Sequence, residues 1–421
     1  MSSHSDDHSA LISQILESKF GLHGCSFQKI GKAKNNSVYQ INLPHPLSEP
    51  VKGLDISSKP CTSPIPAGTS NLIIRISNKD VSLESSVRVR NEVASLTLAR
   101  DALCSVCPSA IPLVFGWEDI TSSPGWILEE QMKGEELSPD DLAGLDQDNQ
   151  QLILRQMAKV IKCLQDFQLP SSITGYGGLT FNNEGKITST LMTVPCGGPF
   201  PTYALLCKAM CMWQLDASDR SSHLGGWKEN GMRERLDQFF SNGLDQVLTT
   251  VSEDRPTLIH GDFSLPNLLF DTSTYRLTAV LDFDFTHIGA PISEWLFSFW
   301  DIDGLLPGSA DPMGPLRNWL LNGFPQGGLI SSNDRNVPET LEPQFTIAAA
   351  WDKALAEAGV KKPSTISGAD TTADIWWFSQ ELCQAYWFME SFLARKTPEQ
   401  LSKMKESSEK SLDAYLVQWG F

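Results

Sequence analysis

The sequence predicts an α+β fold in two lobes, a small lobe built on a mostly antiparallel sheet and a larger, mostly helical one. Three observations carry this. Short apolar runs with strand character fill the chain as far as Met132 and are interrupted by one helical run, Val87–Leu96. Lys133-Gly134 then breaks the strand pattern. Beyond it, apolar residues recur mainly at helical spacing, as in Asp146–Gln168. The expected division is 1–132 for the small lobe and 133–421 for the large one, and 421 residues are ample chain for it.

Residues 1–9 read as disordered, and Leu11, Ile12, Ile15 and Leu16 place a short amphipathic helix over Ala10–Phe20. Phe27–Ile41 alternates apolar and polar residues on both sides of a polar turn, as two strands joined by a loop do. Backbone amides around Asn35–Ser37, with the Ser37 hydroxyl, can donate to phosphates, and the same residues serve equally as an ordinary hairpin tip. Pro44–Ser70 is Pro-, Ser- and Gly-rich and reads as a long surface loop.

Asn71–Ser77 is a strand with one charge, Arg75, in its middle. A charge inside an apolar strand needs a partner, and Glu92 in the helical run is the candidate. Ile111–Trp117 and Gly125–Met132 read as two further strands. After the Asp146–Gln168 helix, Tyr176–Gly185 reads as two short strands around a turn, and Met192–Thr250 as helices. Asp374–Phe392 is expected as one buried helix, with a charged helix closing the chain. Gly323–Pro338 and Lys361–Ala373 read as polar loops.

Leu258–Glu294, LIHGDFSLPNLLFDTSTYRLTAVLDFDFTHIGAPISE, holds the chemistry. Asp262 and Asn267 fall on one loop. The strand-like runs Asn267–Asp271 and Leu277–Phe283, joined at Thr272-Ser273-Thr274, bring Asp282 back beside Asn267. Phosphoryl transfer from a nucleotide asks for such a set: a carboxylate to meet the acceptor hydroxyl, and hard oxygen ligands for Mg²⁺. Asp262 is the candidate base, and Asn267 and Asp282 are the candidate metal ligands. Asp and Asn are also common turn residues, but the ordered set H-x-D-x4-N, hairpin, D-F-D favours the functional reading.

At these residues the chain resembles the aminoglycoside phosphotransferase and choline kinase-like family, the small-molecule branch of the protein-kinase fold. HGDFSLPN stands at that family's catalytic loop and LDFD at its metal-binding Asp, with Gly289, Pro291 and Glu294 at its trailing G-x-P and acidic positions. The likeness extends over about residues 20 to 395 and is greatest to fungal members. It implies a bilobal kinase-like fold and ATP, or GTP, with Mg²⁺ as cofactors. It implies a nucleotide-covering loop at Asn35–Ser37 and backbone groups near Glu130 and Met132 reading the base edge. The strand position of Arg75 holds Lys in the broad family, whereas fungal members resemble this chain in carrying Arg. A guanidinium grips phosphate oxygens bidentately, with a different reach from an ammonium.

A formal charge of −17 argues against nucleic acid as partner. No apolar stretch is long enough for a membrane span, and the polar N-terminus lacks the features of a signal peptide, so the cytoplasm is the expected location. The nine cysteines lack zinc-site spacing and read as free thiols. Trp295, Trp300 and Asp301-Ile302-Asp303 follow the metal motif and offer an aromatic, acidic wall for an acceptor. The expected partner is a small-molecule hydroxyl acceptor. Two other readings stay open: a nucleotide-binding pseudokinase or regulatory protein, and an enzyme that activates a hydroxyl for elimination or cyclisation.

Overall fold

A computed structural model describes residues 8–31, 35–54, 59–78, 83–121, 123–251, 254–311, 314–324 and 342–421. Five strands, β1 (Ser26–Ile30), β2 (Asn36–Asn42), β3 (Asn71–Ser77), β4 (Val114–Glu118) and β5 (Trp126–Glu130), form one antiparallel sheet in the order β1-β2-β3-β5-β4. Successive side chains of a strand point to opposite faces, and the register sorts them. Tyr39, Ile41, Leu72, Ile74, Ile76, Trp126 and Leu128 face outward, under helix α1 (Ser9–Phe20), which contributes Ile12, Ile15, Leu16 and Phe20 to the same core. Arg75 of β3 lies opposite Val38 and Ile127, and Ile73 opposite Gln40 and Glu129, so these residues share the inward face.

The segment expected as a surface loop between β2 and β3 is partly anchored. Val51 and Ile65 exchange two backbone hydrogen bonds, and Ile65 is buried in the outward core. Among the site-bearing stretches, the tip of the β1–β2 loop, residues 32–34, lies outside the described residues.

Helix α2 (Arg88–Leu103) crosses the inward side, and its Val89, Val93, Leu96 and Leu103 join the core of the helical lobe. It packs on strand β4, on the helix Gln147–Asp166 and on the short strand Gly178–Phe181. The Gln147–Asp166 helix opens on an Asp146 side chain that accepts from the Asn149 amide, and it buries Ile153, Met157, Val160, Ile161 and Leu164. Leu152, expected on that face, is exposed.

Gly134 follows the sheet with φ +114°. A Cβ there would stand 2.3 Å from Thr278 Oγ1 and 2.9 Å from the Phe270 carbonyl. Only glycine lets the chain pass this close and then pair as β6 (Glu135–Glu136) with β10 (Leu268–Phe270). Between these come the hairpin strands β7 (Gly178–Phe181) and β8 (Ile187–Thr190), and strand β9 (Thr257–Ile259). β10 also pairs with β11 (Leu277–Val280), and β9 pairs with β12 (His287–Gly289).

One expected helix is corrected. The run Asp374–Phe392 is a helix Ala369–Leu382, which ends at an extended Cys383 and is followed by two short turns of helix. No Gly or Pro marks the break. The Trp227 indole donates to the Leu382 carbonyl at 2.8 Å, a cap supplied from a distant part of the chain. Among the described residues no helix is long and apolar enough to cross a membrane.

Candidate active site

The β9 strand ends at Ile259 and leads directly into His260-Gly261-Asp262. Gly261 (φ +80°) passes under Phe285, whose carbonyl would lie 2.5 Å from any Cβ. The buried Glu294 carboxylate accepts the His260 and Gly261 amides at 2.8 and 3.0 Å and the Ser298 hydroxyl at 2.6 Å. Ser298 in turn accepts the Phe263 amide at 2.7 Å. Burial pushes the His260 pKa down to about 4, so the ring is neutral. Its Nε2 donates to the Leu281 carbonyl at 3.0 Å, and its Nδ1 accepts the Asp262 amide at 3.3 Å. Both nitrogens hold the loop, which makes His260 structural.

Asp262 and Asn267 meet as the spacing anticipated. Asn267 Nδ2 donates to the Asp262 carbonyl at 2.7 Å and to its Oδ2 at 3.0 Å. Asn267 Oδ1, the atom a cation would take, has no donor among the described residues. Burial raises the Asp262 pKa to about 6, and the nearby Asp282 adds to the rise, while the Asn267 amide and Trp300 indole hold it down. Trp300 is 52 % exposed. The β10–β11 hairpin brings the second acidic site back: Leu268 pairs with Val280, and the Leu281 amide donates to the Asn267 carbonyl at 2.8 Å. Asp282 follows with φ +61°, a left-handed conformation that Asp adopts more readily than most non-glycine residues.

Arg75 reaches this site from the sheet. Its Nη1 lies 2.6 Å from Glu92 Oε1, the pairing expected from the sequence, and its Nη2 donates to Asp282 Oδ1 at 3.2 Å. Burial works against the guanidinium. Glu92, Asp282, Glu129 and Asp284 around it more than offset that and hold its pKa well above the ordinary arginine value. The side chain of Asp282 remains 40 % exposed, whereas that of Asp284 is 1 % exposed.

Ser37, Glu130 and Met132 lie away from this cluster. Ser37 is buried on the outward side of β2, and its hydroxyl donates to Asn78 at 2.9 Å, leaving only backbone groups of that segment for a ligand. The Glu130 amide donates to Leu113 at 2.8 Å, and its carboxylate accepts the Leu113 amide at 3.2 Å. Met132 stands just past the end of β5, half-buried.

Three contributors carried no sequence signal of their own. Arg88, one turn before Glu92, grips Asp284. Asn36 donates to Asp284 at 2.9 Å. Glu129, buried on the inward face, has an Oε2 atom without a hydrogen-bond partner, and burial pushes its pKa up to about 7. Each depends on strand register or on contacts across more than fifty residues, which composition and spacing do not encode.

Four carboxylates, Glu92, Glu129, Asp282 and Asp284, therefore stand around two guanidiniums, Arg75 and Arg88. Oxygens of Glu92, Asp282 and Asp284 lie within 4.8 Å of one another. The crowding of carboxylates, the exposed face of Asp282 and the open Asn267 Oδ1 suit a hard divalent cation.

A profile of the phosphotransferase enzyme family matches residues 64–308. Over 53 residues the chain is 42 % identical to acyl-CoA dehydrogenase family member 11 of Pongo abelii, a stretch that is 12 % of this chain and 7 % of that protein. Among solved structures, aminoglycoside phosphotransferase APH(4)-Ia with ADP and hygromycin B superposes with a TM-score of 0.49 at 13 % identity, covering 97 % of this chain and 99 % of that one. For ADP-bound APH(2'')-Ib the TM-score is 0.46 at 14 % identity, with 96 % and 99 % covered.

Proposed function

Because the chain belongs to the phosphotransferase enzyme family, we propose that it moves the terminal phosphoryl group of ATP to a hydroxyl of a small molecule. The observation that carries this reading is a linked set: Asn267 bonded to Asp262, with the nearby Asp282 bonded to an Arg75 that also pairs with Glu92.

Asp262 orients the acceptor hydroxyl and takes its proton at a carboxylate oxygen. Its raised pKa places it nearer the working pH than an ordinary aspartate. The Asn267 amide fixes that carboxylate, and Asn267 Oδ1 and Asp282 are the groups that would hold Mg²⁺. Mg²⁺, when bound, supplies charge neutralisation at the phosphate oxygens. Arg75, held by Glu92, contributes a second positive charge toward the phosphates. Backbone groups at Met132 and Glu130 meet the base edge, and backbone amides near Ser37 cover the phosphates. Positioning and electrostatics account for most of the acceleration, so the protein needs little covalent chemistry.

Thermal shift with ATP, with and without Mg²⁺, tests the nucleotide site. The wild type should gain stability in a Mg²⁺-dependent way through mass action, and Asp282→Ala should lose that gain. Candidate alcohols screened by product mass then test turnover: a gain of one phosphoryl group is expected, and Asp262→Asn should abolish it while leaving the ATP-induced shift. An Asp262→Asn protein that still turns over removes the base assignment.

One contact favours a second reading, a nucleotide-binding protein without turnover. Arg75 already occupies Asp282 Oδ1, and an arginine that stays there would compete with a cation. A clear ATP shift with no mass change for any alcohol would favour this reading.

A further inference from the structure

We propose that Asp284 is a positioning residue: clamped by Arg88 and Asn36, it holds Asp282 in the geometry that takes the metal and keeps the nucleotide site assembled before ligand arrives. The inference deepens the reading above and rests on Asp282 being a metal ligand.

Three separate pieces of the cleft meet at Asp284. Arg88 Nε lies 3.4 Å from Oδ1 and Nη2 lies 3.3 Å from Oδ2, so one edge of the guanidinium forks onto both carboxylate oxygens. The same Nη2 donates to Asn36 Oδ1 at 3.0 Å, and Asn36 Nδ2 donates back to Asp284 Oδ2 at 2.9 Å. Arg75 Nη2 stands 3.8 Å from that oxygen. Both oxygens of Asp284 are thus engaged, which disfavours it as a direct cation ligand even though it lies close to Glu92 and Asp282.

Each partner reports to a different part of the site. Asn36 begins β2 within the segment expected to cover the nucleotide, Arg88 precedes Glu92 by one helical turn, and Asp284 follows Asp282 by two residues. Asp282 has a positive φ, a modest backbone cost even for Asp, and its surroundings help to hold it there. The clamp supplies that restraint. Both charges are 1 % exposed, so the pair is built into the interior rather than resting on the surface. Arg88 touches neither the acceptor side nor Asp282, yet metal affinity should depend on it.

Removing one partner strands a buried charge, whereas removing both with apolar residues of similar size is tolerated far better. The test therefore uses the full-length chain with Arg88→Met and Asp284→Leu combined, beside wild type and Asp282→Ala. The readout is the ATP-induced thermal shift as Mg²⁺ is titrated at fixed ATP, with an EDTA arm. The paired variant leaves the buried Asn36 amide without its two partners and so should melt somewhat lower without ligand, but it should also need at least tenfold more Mg²⁺ for half the shift. A merely structural pair would change ligand-free melting and leave the Mg²⁺ midpoint unmoved, and that result overturns the proposal. Wild-type Mg²⁺ dependence retained in Asp282→Ala removes the metal reading and this inference together. If the paired variant does not fold, Arg88→Lys decides the question. It keeps the charge but cannot fork to both Asp284 and Asn36, so a several-fold rise in the midpoint supports the clamp and no rise sinks it.

Discussion

Glu129 sits in β5 across from Ile73, with its carboxyl on the same face as Arg75 and no donor to its Oε2 atom. Desolvation raises its pKa from 4.5 to about 7, more than the Arg75 charge can restrain. The folded state therefore holds a proton that the unfolded chain releases above pH 4.5. Linkage then lowers stability as pH climbs through that window, and the loss is complete above about pH 7. The shift corresponds to about 3 kcal/mol. Glu129→Gln keeps the shape and cannot titrate. Its ligand-free melting temperature should exceed the wild-type value at pH 8, with the gain shrinking toward pH 4.5. Parallel melting curves against pH for the two proteins would show that Glu129 is paired or hydrated in solution. The residue was legible in the sequence only as one of two glutamates ending a strand. Its isolation follows from the pairing of β3 with β5, which the sequence does not state.

At the level of elements, the connection after β5 depends on one position. Gly134 combines φ +114° with contacts that a Cβ would violate, so Gly134→Ala carries both backbone strain and a clash with the β10–β11 hairpin. The expected cost is about 2 kcal/mol or more. It should read out as a lower melting temperature together with weaker ATP binding, since the same hairpin carries Asn267 and leads to Asp282. A normal ATP affinity in a destabilised protein would separate the turn from the site. Lys133-Gly134 was readable as a break because glycine ends a strand pattern whatever follows it. The Asp262, Asn267 and Asp282 set was readable for a related reason. Its members are local in sequence and joined by a short hairpin, so spacing alone brings them together. The helix ending at Leu382 was not, because Trp227 supplies the cap from a distant turn. Strand register, which the sequence does not state, turns the Ser37 hydroxyl toward Asn78: Ser37 alternates with Val38 and shares the face of Tyr39.

Over the whole molecule, the way α2 is rooted decides how freely the sheet can move over the helical lobe. The outward core under α1 is separate, whereas α2 shares its core with the helices below. Asn91, fully buried on α2, donates to the Thr286 carbonyl at 2.8 Å and accepts the Leu179 amide at 2.7 Å. The Arg88–Asp284 pair adds a charged tie one turn away. Such a cleft is preassembled, and ATP with Mg²⁺ should find it with little rearrangement. Small-angle scattering should then detect a change in radius of gyration of about 1 Å or less on binding, as in other preorganised complexes. Asn91→Leu tests the cause. It leaves a buried carbonyl and a buried amide without partners, at a cost of about 2 kcal/mol or more. It also unties α2 from β7 and from the segment after Asp284. The variant should melt lower and now contract measurably when ATP and Mg²⁺ are added, because ligand must supply the closure that Asn91 had already provided. If the wild type contracts by several ångströms, the ties across the cleft form only with ligand bound, and α2 moves with the sheet instead of with the helices.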